Sequence, residues 1–218
     1  MARSQKWTFL YALIITLVIF NLGLFVGYML ESSRINKIND WAFQAEMEIL
    51  DQKIQENALD IIDFDCEILV QNNIDFADRI FEEAQTIDNY EKANRINQDI
   101  ISQHKRYDLL RTLFWINSIK IKEKCNSDYH TLVYFYQYNE PTFDQKAKQR
   151  VFSKLLTEIK EAKGKEVMLI PIAADNGLPS INLLVGEYGV VELPSILIDE
   201  DIILSELSSA EEIEKYLD

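Results

Sequence analysis

Between Trp7 and Leu30 the chain runs for 24 residues without a charged side chain, and no other stretch restricts its possible folds as much. At about 1.5 Å of rise per residue a helix of this length reaches roughly 36 Å, enough to cross a hydrocarbon core of about 30 Å with slight tilt. A cleaved signal peptide has a shorter apolar core, about 7–15 residues, and then a small-x-small cleavage site. Here the run is longer and closes on Phe25-Val26-Gly27-Tyr28-Met29-Leu30 with no Ala-x-Ala nearby. The sequence therefore predicts a short tail (1–6), an uncleaved transmembrane anchor (7–30) in a lipid bilayer, and a body beyond it. Arg3, Lys6 and the amino terminus precede the span and Arg34 and Lys37 follow it. The small positive excess on the leading side favours an N-terminus inside and a body outside the cytoplasm. Gly23 and Gly27 form a small-xxx-small pair of the kind that lets two anchors pack closely, so a homodimer through the anchor or the following helix is one expectation.

Charge narrows the classes of partner. The 218 residues carry 22 basic and 36 acidic side chains, a net charge of −14. An acidic body has no basic stripe from which nucleic acid would release counterions, so nucleic-acid binding is disfavoured. The charge reads as solubility.

From Tyr28 to Glu140 the chain has no glycine and no proline, whereas all 4 prolines fall after Glu140. A long stretch without breakers, rich in Ile, Leu, Glu, Gln, Lys and Arg, argues for continuous helix. Apolar stripes spaced by three and four residues agree. One runs Ile35, Ile38, Ala42, Ala45, Ile49 and Leu59; a second Cys66, Leu69, Phe76, Ile80 and Ile87; a third Ile96, Ile100, Tyr107, Leu110, Phe114 and Ile121. Helices packed side by side, coiled-coil fashion, require such stripes. Gln52, Glu56, Asn73, Gln103 and Asn117 intrude on the seams, which argues against a long regular coiled coil but not against helix. Asp60, Asp63 and Asp65 mark a break and an N-cap, and Asp88-Asn89-Tyr90 the tip of a hairpin. Three helices are predicted, over about 8–59, 64–87 and 91–124, so residues 31–125 form a helical stalk and antiparallel hairpin.

Cys66 would open the second helix and Cys125 close the third. Residues equidistant from the tip of an antiparallel hairpin lie opposite each other, so the two thiols would meet at its base. A bridge there would close a loop of about 60 residues and stabilise the fold by roughly 4 kcal/mol on the chain-entropy account. An oxidising compartment favours this structural disulfide; in the cytoplasm the two would stay small, reduced, apolar residues.

After Cys125 the pattern changes. Thr131–Gln137 is a continuous β-branched and aromatic run, as expected of a strand buried on both faces. Asn139 is placed to cap a helix carrying Pro141 in its first turn and ending before Gly164. Glu166–Ile172 reads as a second strand and Leu178–Tyr188 as a helix with Gly189 beyond its end. Pro194–Asp199 and Ile202–Leu204 form a hairpin, and Ser208 or Ser209 caps a last helix. The fold class is α+β, with a β-α-β-α-β-β-α order and a four-stranded mixed sheet over 126–218.

Two places in this segment carry a family resemblance. Tyr188-Gly189-Val190-Val191-Glu192-Leu193-Pro194-Ser195 and the strand after it resemble the stretch of the thioredoxin superfamily in which tyrosine, glycine and valine precede a cis-proline that starts a strand. Phe135-Tyr136-Gln137-Tyr138-Asn139-Glu140-Pro141-Thr142 resembles the strand-turn-helix that carries Cys-x-x-Cys in that family. The resemblance covers about 88 residues in the small, glutaredoxin-sized form. More loosely, the layout is similar to membrane-anchored thioredoxin-like proteins whose helical stalk bears a cysteine at each end of a hairpin. The departure lies in the turn, which reads Asn139-Glu140-Pro141-Thr142. Disulfide exchange needs a thiolate at a helix N-terminus and a resolving thiol, and neither Asn nor Thr supplies one. The resemblance thus implies a redox-inactive domain whose groove still presents a protein- or peptide-binding edge at Glu140, Thr142, Leu193, Pro194 and Ser195. Taken singly, Asn139 is a helix cap, Pro141 a first-turn proline and Pro194 a strand-start turn.

Other chemistry is sparse. His104 is expected on the surface or the hairpin seam and His130 at a strand edge, with no ligand set at metal spacing and no glycine-rich phosphate loop, so no metal or cofactor is implied. Glu82-Glu83, Glu211-Glu212 and Asp199-Glu200-Asp201 read as solvated faces and a turn. Two functions are carried forward: a membrane-tethered interaction or scaffold protein, and a degenerate thiol-disulfide oxidoreductase acting through Cys66 and Cys125.

Overall fold

The computed structural model describes the backbone of residues 2–94, 98–206 and 209–217, and their side chains except at 2–6, 31, 34–39, 41–42, 86–94 and 98–100. Among the described residues, six α-helices and four strands follow in the order α1 (Ala2–Leu59), α2 (Cys66–Asn94), α3 (Gln98–Cys125), β1 (His130–Tyr136), α4 (Phe143–Lys163), β2 (Val167–Ala173), α5 (Pro179–Glu187), β3 (Ser195–Ile198), β4 (Ile202–Leu204) and α6 (Ala210–Glu214). The chain divides into two compact units, Met1–Gln44 and Ala45–Asp218.

The described residues of the first unit, from Ala2 onward, are all helical. Its Trp7–Leu30 segment has a mean hydropathy of 2.5 and is exposed along its whole length, so it is long and apolar enough to span a membrane.

The second unit is built on a mixed sheet ordered β2-β1-β3-β4. β1 and β2 run parallel from His130 opposite Val167 to Tyr136 opposite Ala173, and α4 supplies the crossover that parallel strands need. β3 lies antiparallel to β1, with Phe135 opposite Ser195 and Leu132 opposite Ile198, and β4 returns along β3. Val133, Phe135, Met168, Ile170, Ile172 and Leu197 face one core, completed by Ala45 of α1, by Phe76, Ala77 and Ile80 of α2, by Tyr107, Leu110, Phe114 and Trp115 of α3 and by Ile181 of α5. Leu132, Tyr134, Val167, Leu169, Ile196 and Ile198 face the other, against Phe152, Leu156 and Ile159 of α4 and Ile213 of α6. β1 is thus covered on both faces, as its unbroken apolar run requires.

The helical hairpin is one layer of this unit. A division at 125/126 between hairpin and sheet domain marks a change of secondary structure but not of core, because α2 and α3 bury the face of the sheet that α4 and α6 leave open. The three predicted stripes are the packed ones: Ala45, Leu59, Phe76, Ile80, Tyr107, Leu110, Phe114 and Ile121 are buried. Ile35, Ile38, Ala42, Ile87, Ile96 and Ile100 lie outside the described side chains. Four of the five polar intruders are paired across the seams, whereas Gln103 is buried with its Oε1 lacking a hydrogen-bond partner among the described residues. Asn117 Nδ2 donates to the Gln52 backbone oxygen (3.0 Å) and to Gln52 Oε1 (2.9 Å), Lys120 Nζ reaches Glu56 at 2.9 Å, and Asn73 Nδ2 donates to Ser118 Oγ at 3.1 Å. The Asn117–Gln52 and Asn73–Ser118 pairs therefore fix which helix turns lie opposite one another, since misregistry would strand these amides in an apolar seam.

The break between α1 and α2 falls where the aspartates predict it, and Asp65 Oδ1 caps α2 by accepting from Glu67 N (2.9 Å) and Ile68 N (3.4 Å). The tip does not fall at Asp88-Asn89-Tyr90: α2 continues to Asn94, and residues 95–97, outside the described residues, separate it from α3. Asp and Asn cost only tenths of a kcal/mol inside a helix, too little to end one.

Candidate functional site

The residues expected to form a binding edge gather at the end of the sheet where β1 finishes and β3 begins. The Phe135–Ser195 rung is the last of that pairing, so the 137–142 turn and the 190–194 loop leave the sheet side by side. The Leu193–Pro194 peptide is cis. Glu140 is exposed and holds φ +46, and Thr142 is also exposed. Leu193 is partly buried against the core, Pro194 is buried, and Ser195 is completely buried with its hydroxyl lacking a hydrogen-bond partner among the described residues. Of the five residues expected to line a binding edge, Glu140 and Thr142 are presented to solvent. The Ser195 side chain is not, because β3 directs it into the sheet.

The local capping differs from the expectation. Thr142, not Asn139, caps α4: Gln145 N donates to Thr142 Oγ1 at 3.2 Å while Gln145 Oε1 accepts from Thr142 N at 2.9 Å, a reciprocal capping box. Pro141 stands just before the cap instead of in the first turn. Asn139 is taken by Asp175 in the loop after β2. Asp175 accepts from Tyr138 N (2.7 Å) and Asn139 N (2.8 Å), and Asn139 Nδ2 donates to the Asp175 backbone oxygen at 2.8 Å. One carboxylate thus stitches together the two loops that follow the parallel strands.

Behind these loops lies a polar cluster that the sequence did not reveal. Asp108 is completely buried on α3. It accepts from Asn176 Nδ2, from Ala173 N at 3.3 Å and from Arg111 Nη1 at 3.4 Å, while Arg111 Nη1 also reaches the Pro171 oxygen at 3.4 Å. Burial pushes the Asp108 carboxyl above its ordinary range, and His104, Arg111, the Ala173 amide and Asn176 pull it back. His104, one turn earlier, is buried; its Nε2 lies 2.7 Å from Tyr136 Oη and 3.5 Å from Asp108 Oδ2, and its ring stacks on Tyr138 at 3.8 Å. His104, Asp108 and Arg111 follow the three- and four-residue spacing of one helix face beside the Tyr107–Leu110–Phe114 seam. That spacing, read as buried polarity instead of an exposed stripe, was the available signal.

The opposite end of the sheet is also fastened to α3. Asp199 and Glu200, at positive φ of 47 and 61 in the β3–β4 turn, direct their side chains inward. Asp199 accepts from Lys122 Nζ (2.7 Å), His130 Nδ1 (2.5 Å) and Thr131 N (3.0 Å); Glu200 accepts from Trp115 Nε1 (2.6 Å) and Thr131 Oγ1 (2.7 Å). Burial acts to raise the Asp199 carboxyl, but the bonds from Lys122, His130 and Thr131 prevail and hold it below the usual range. Burial dominates for Glu200 and leaves it raised. The turn is therefore an anchor for the helix, where the sequence suggested a solvated loop. Glu83 departs in the same way: burial and Glu48 push its carboxyl up to about 7.

Cys66 and Cys125 stand at disulfide-bonding distance, with Cα atoms 5.5 Å apart, as the hairpin geometry predicts. α3 runs from His104 beside Tyr136, where β1 ends, to Lys122 near His130, where β1 begins. The cysteine pair therefore belongs to the opposite end of the sheet from Pro194, and β1 alone spans about 20 Å. Among the described residues no three His, Cys, Asp or Glu side chains are grouped to hold a metal ion. The turn offers no thiolate nucleophile, and its Thr142 hydroxyl is engaged as a cap. What the arrangement does provide is a rigid pair of adjoining loops with Glu140 and Thr142 outward.

No protein-family model matches this chain, and no curated protein matches it either.

Proposed function

We propose that the chain is a single-pass membrane protein, anchored by Trp7–Leu30 with its N-terminus inside, whose body is a thioredoxin-like domain without redox activity that serves as an interaction or scaffold module. Support for the fold comes from the β2-β1-β3-β4 order, with one parallel and two antiparallel pairings, and from a cis-proline heading β3 beside the strand-turn-helix. The observation that carries the loss of chemistry is the Asn139-Glu140-Pro141-Thr142 turn, which puts an amide and a capping hydroxyl where the family holds its sulfurs. The retained surface between this turn and the Leu193–Pro194 loop accepts an extended segment of a protein or peptide partner.

An insulin-reduction assay on the full chain tests the redox part: no turnover is expected, and turnover that vanishes on Cys66→Ser would restore the oxidoreductase reading. Binding to an arrayed peptide library tests the module. Glu140→Lys and Pro194→Ala are each expected to change the set of peptides bound, whereas a set unchanged by both removes the edge as the binding surface. A reporter fused after Asp218 reads the orientation.

A further inference from the structure

The apolar span carries one side chain whose chemistry does not suit hydrocarbon. Asn21 sits near the middle of Trp7–Leu30, and among the described residues its amide makes one hydrogen bond, from Nδ2 to the Leu17 oxygen at 2.7 Å. A primary amide has two donors and two acceptor sites, so the helix satisfies only part of it. Thr16 differs, because its hydroxyl donates to the Ala12 oxygen at 2.9 Å and needs no other partner. In a bilayer core no water completes the Asn21 set, and an amide without partners there is costly.

Asn21 also lies within an ordered pattern. Trp7, Leu10, Ile14, Leu17, Asn21, Leu24 and Tyr28 alternate in steps of three and four, a 3.5-residue repeat through the whole span. Such a repeat keeps one seam facing a partner helix in a left-handed pair, the commoner crossing in membranes. Gly23 and Gly27 lie about 200–240° around the helix from Asn21, on the other side.

We propose that two copies of this chain pair in the membrane through the Ile14–Leu17–Asn21–Leu24–Tyr28 face, with the Asn21 amides hydrogen-bonding to each other at the centre. The inference rests on the anchoring proposed above. A second copy is the fitting occupant because the same flanking charges insert it in the same orientation. That places its Asn21 at the same depth, and an amide is self-complementary, donor to acceptor in both directions across a two-fold axis. A single polar residue in an otherwise apolar heptad seam also fixes the register.

The test uses the full chain in phosphatidylcholine vesicles, labelled at its N-terminal amine with donor or acceptor dyes, and follows energy transfer against protein-to-lipid ratio. Asn21→Leu is expected to raise the dissociation constant in the lipid phase roughly 3- to 30-fold, the factor that corresponds to about 0.6–2 kcal/mol for an intramembrane polar contact. Asn21→Gln is expected to recover most of the association, and Gly23→Leu combined with Gly27→Leu to leave it unchanged. Three results overturn the inference: Asn21→Leu pairing as tightly as wild type, the Gly23/Gly27 variant alone abolishing pairing, or a wild-type chain monomeric at every ratio. An alkaline carbonate wash of the same vesicles separates the two levels. A chain that washes off refutes anchoring and the dimer together; one that stays but does not pair refutes the dimer alone.

Discussion

Asp108 joins two stretches that are distant in sequence: its own helix and the end of β2 with the loop that follows, at Ala173 and Asn176. A buried carboxylate with a guanidinium beside it is costly to lose by halves. Asp108→Ala is expected to destabilise the protein by about 3–5 kcal/mol, since Arg111 would stay buried without its charge partner. Asp108→Asn keeps an oxygen for the Ala173 amide and should cost less; urea midpoints of the two variants decide. Glu83 gives a pH signature. Its folded-state pKa of about 7 stands above the ordinary carboxyl value, so its contribution is complete below about pH 4.5 and is lost as pH rises through 7. Wild type should therefore lose stability relative to Glu83→Gln across that window, read as the difference in denaturation midpoint. Neither residue stood out in the sequence. Asp108 sits among Tyr107, Leu109 and Leu110, and its partners are 65 and 68 residues away; burial of an acid is decided by such partners, which local pattern does not contain.

At the level of elements the sequence was far more legible. Each predicted strand is present within a residue or two, because β-branched and aromatic runs bounded by Asn, Gly and Pro leave little alternative. The seams of α1, α2 and α3 follow from their 3.5-residue spacing, and with them the meeting of Cys66 and Cys125. Ends were harder. Asn139 and Thr142 are both good caps, and the choice between them was made by Asp175 taking Asn139 and by Gln145 completing a box with Thr142. Thr142→Ala should cost about 1 kcal/mol in thermal or denaturant unfolding, and Asn139→Ala should leave α4 capped. Replacing both Cys66 and Cys125 by serine is expected to lower stability by roughly 4 kcal/mol through the freed 60-residue loop, with the sheet still formed by circular dichroism.

For the molecule as a whole, the separation into two units predicts that a chain beginning at Ala45 folds by itself and unfolds in one transition, because both cores are supplied by residues from Ala45 onward. Two transitions, or a molten product, would show that the first unit is needed. The fold class was readable at this scale because the pattern switches sharply after Cys125, from long apolar stripes of helical spacing to short β-branched and aromatic runs. That the hairpin and the sheet share a core was not, since periodicity shows which face is apolar but not what covers it. The outer flank of β2 then has a consequence for the protein in company. Its Val167 and Pro171 oxygens accept from Lys160 Nζ and Arg111 Nη1, its Ala173 amide donates to Asp108, and Pro171 has no amide hydrogen to offer. At these positions the margin of the sheet is already occupied, so a stray strand finds fewer free backbone groups to pair with there. When copies crowd together, growth of a fibril from that side is opposed by side chains that the native state already needs.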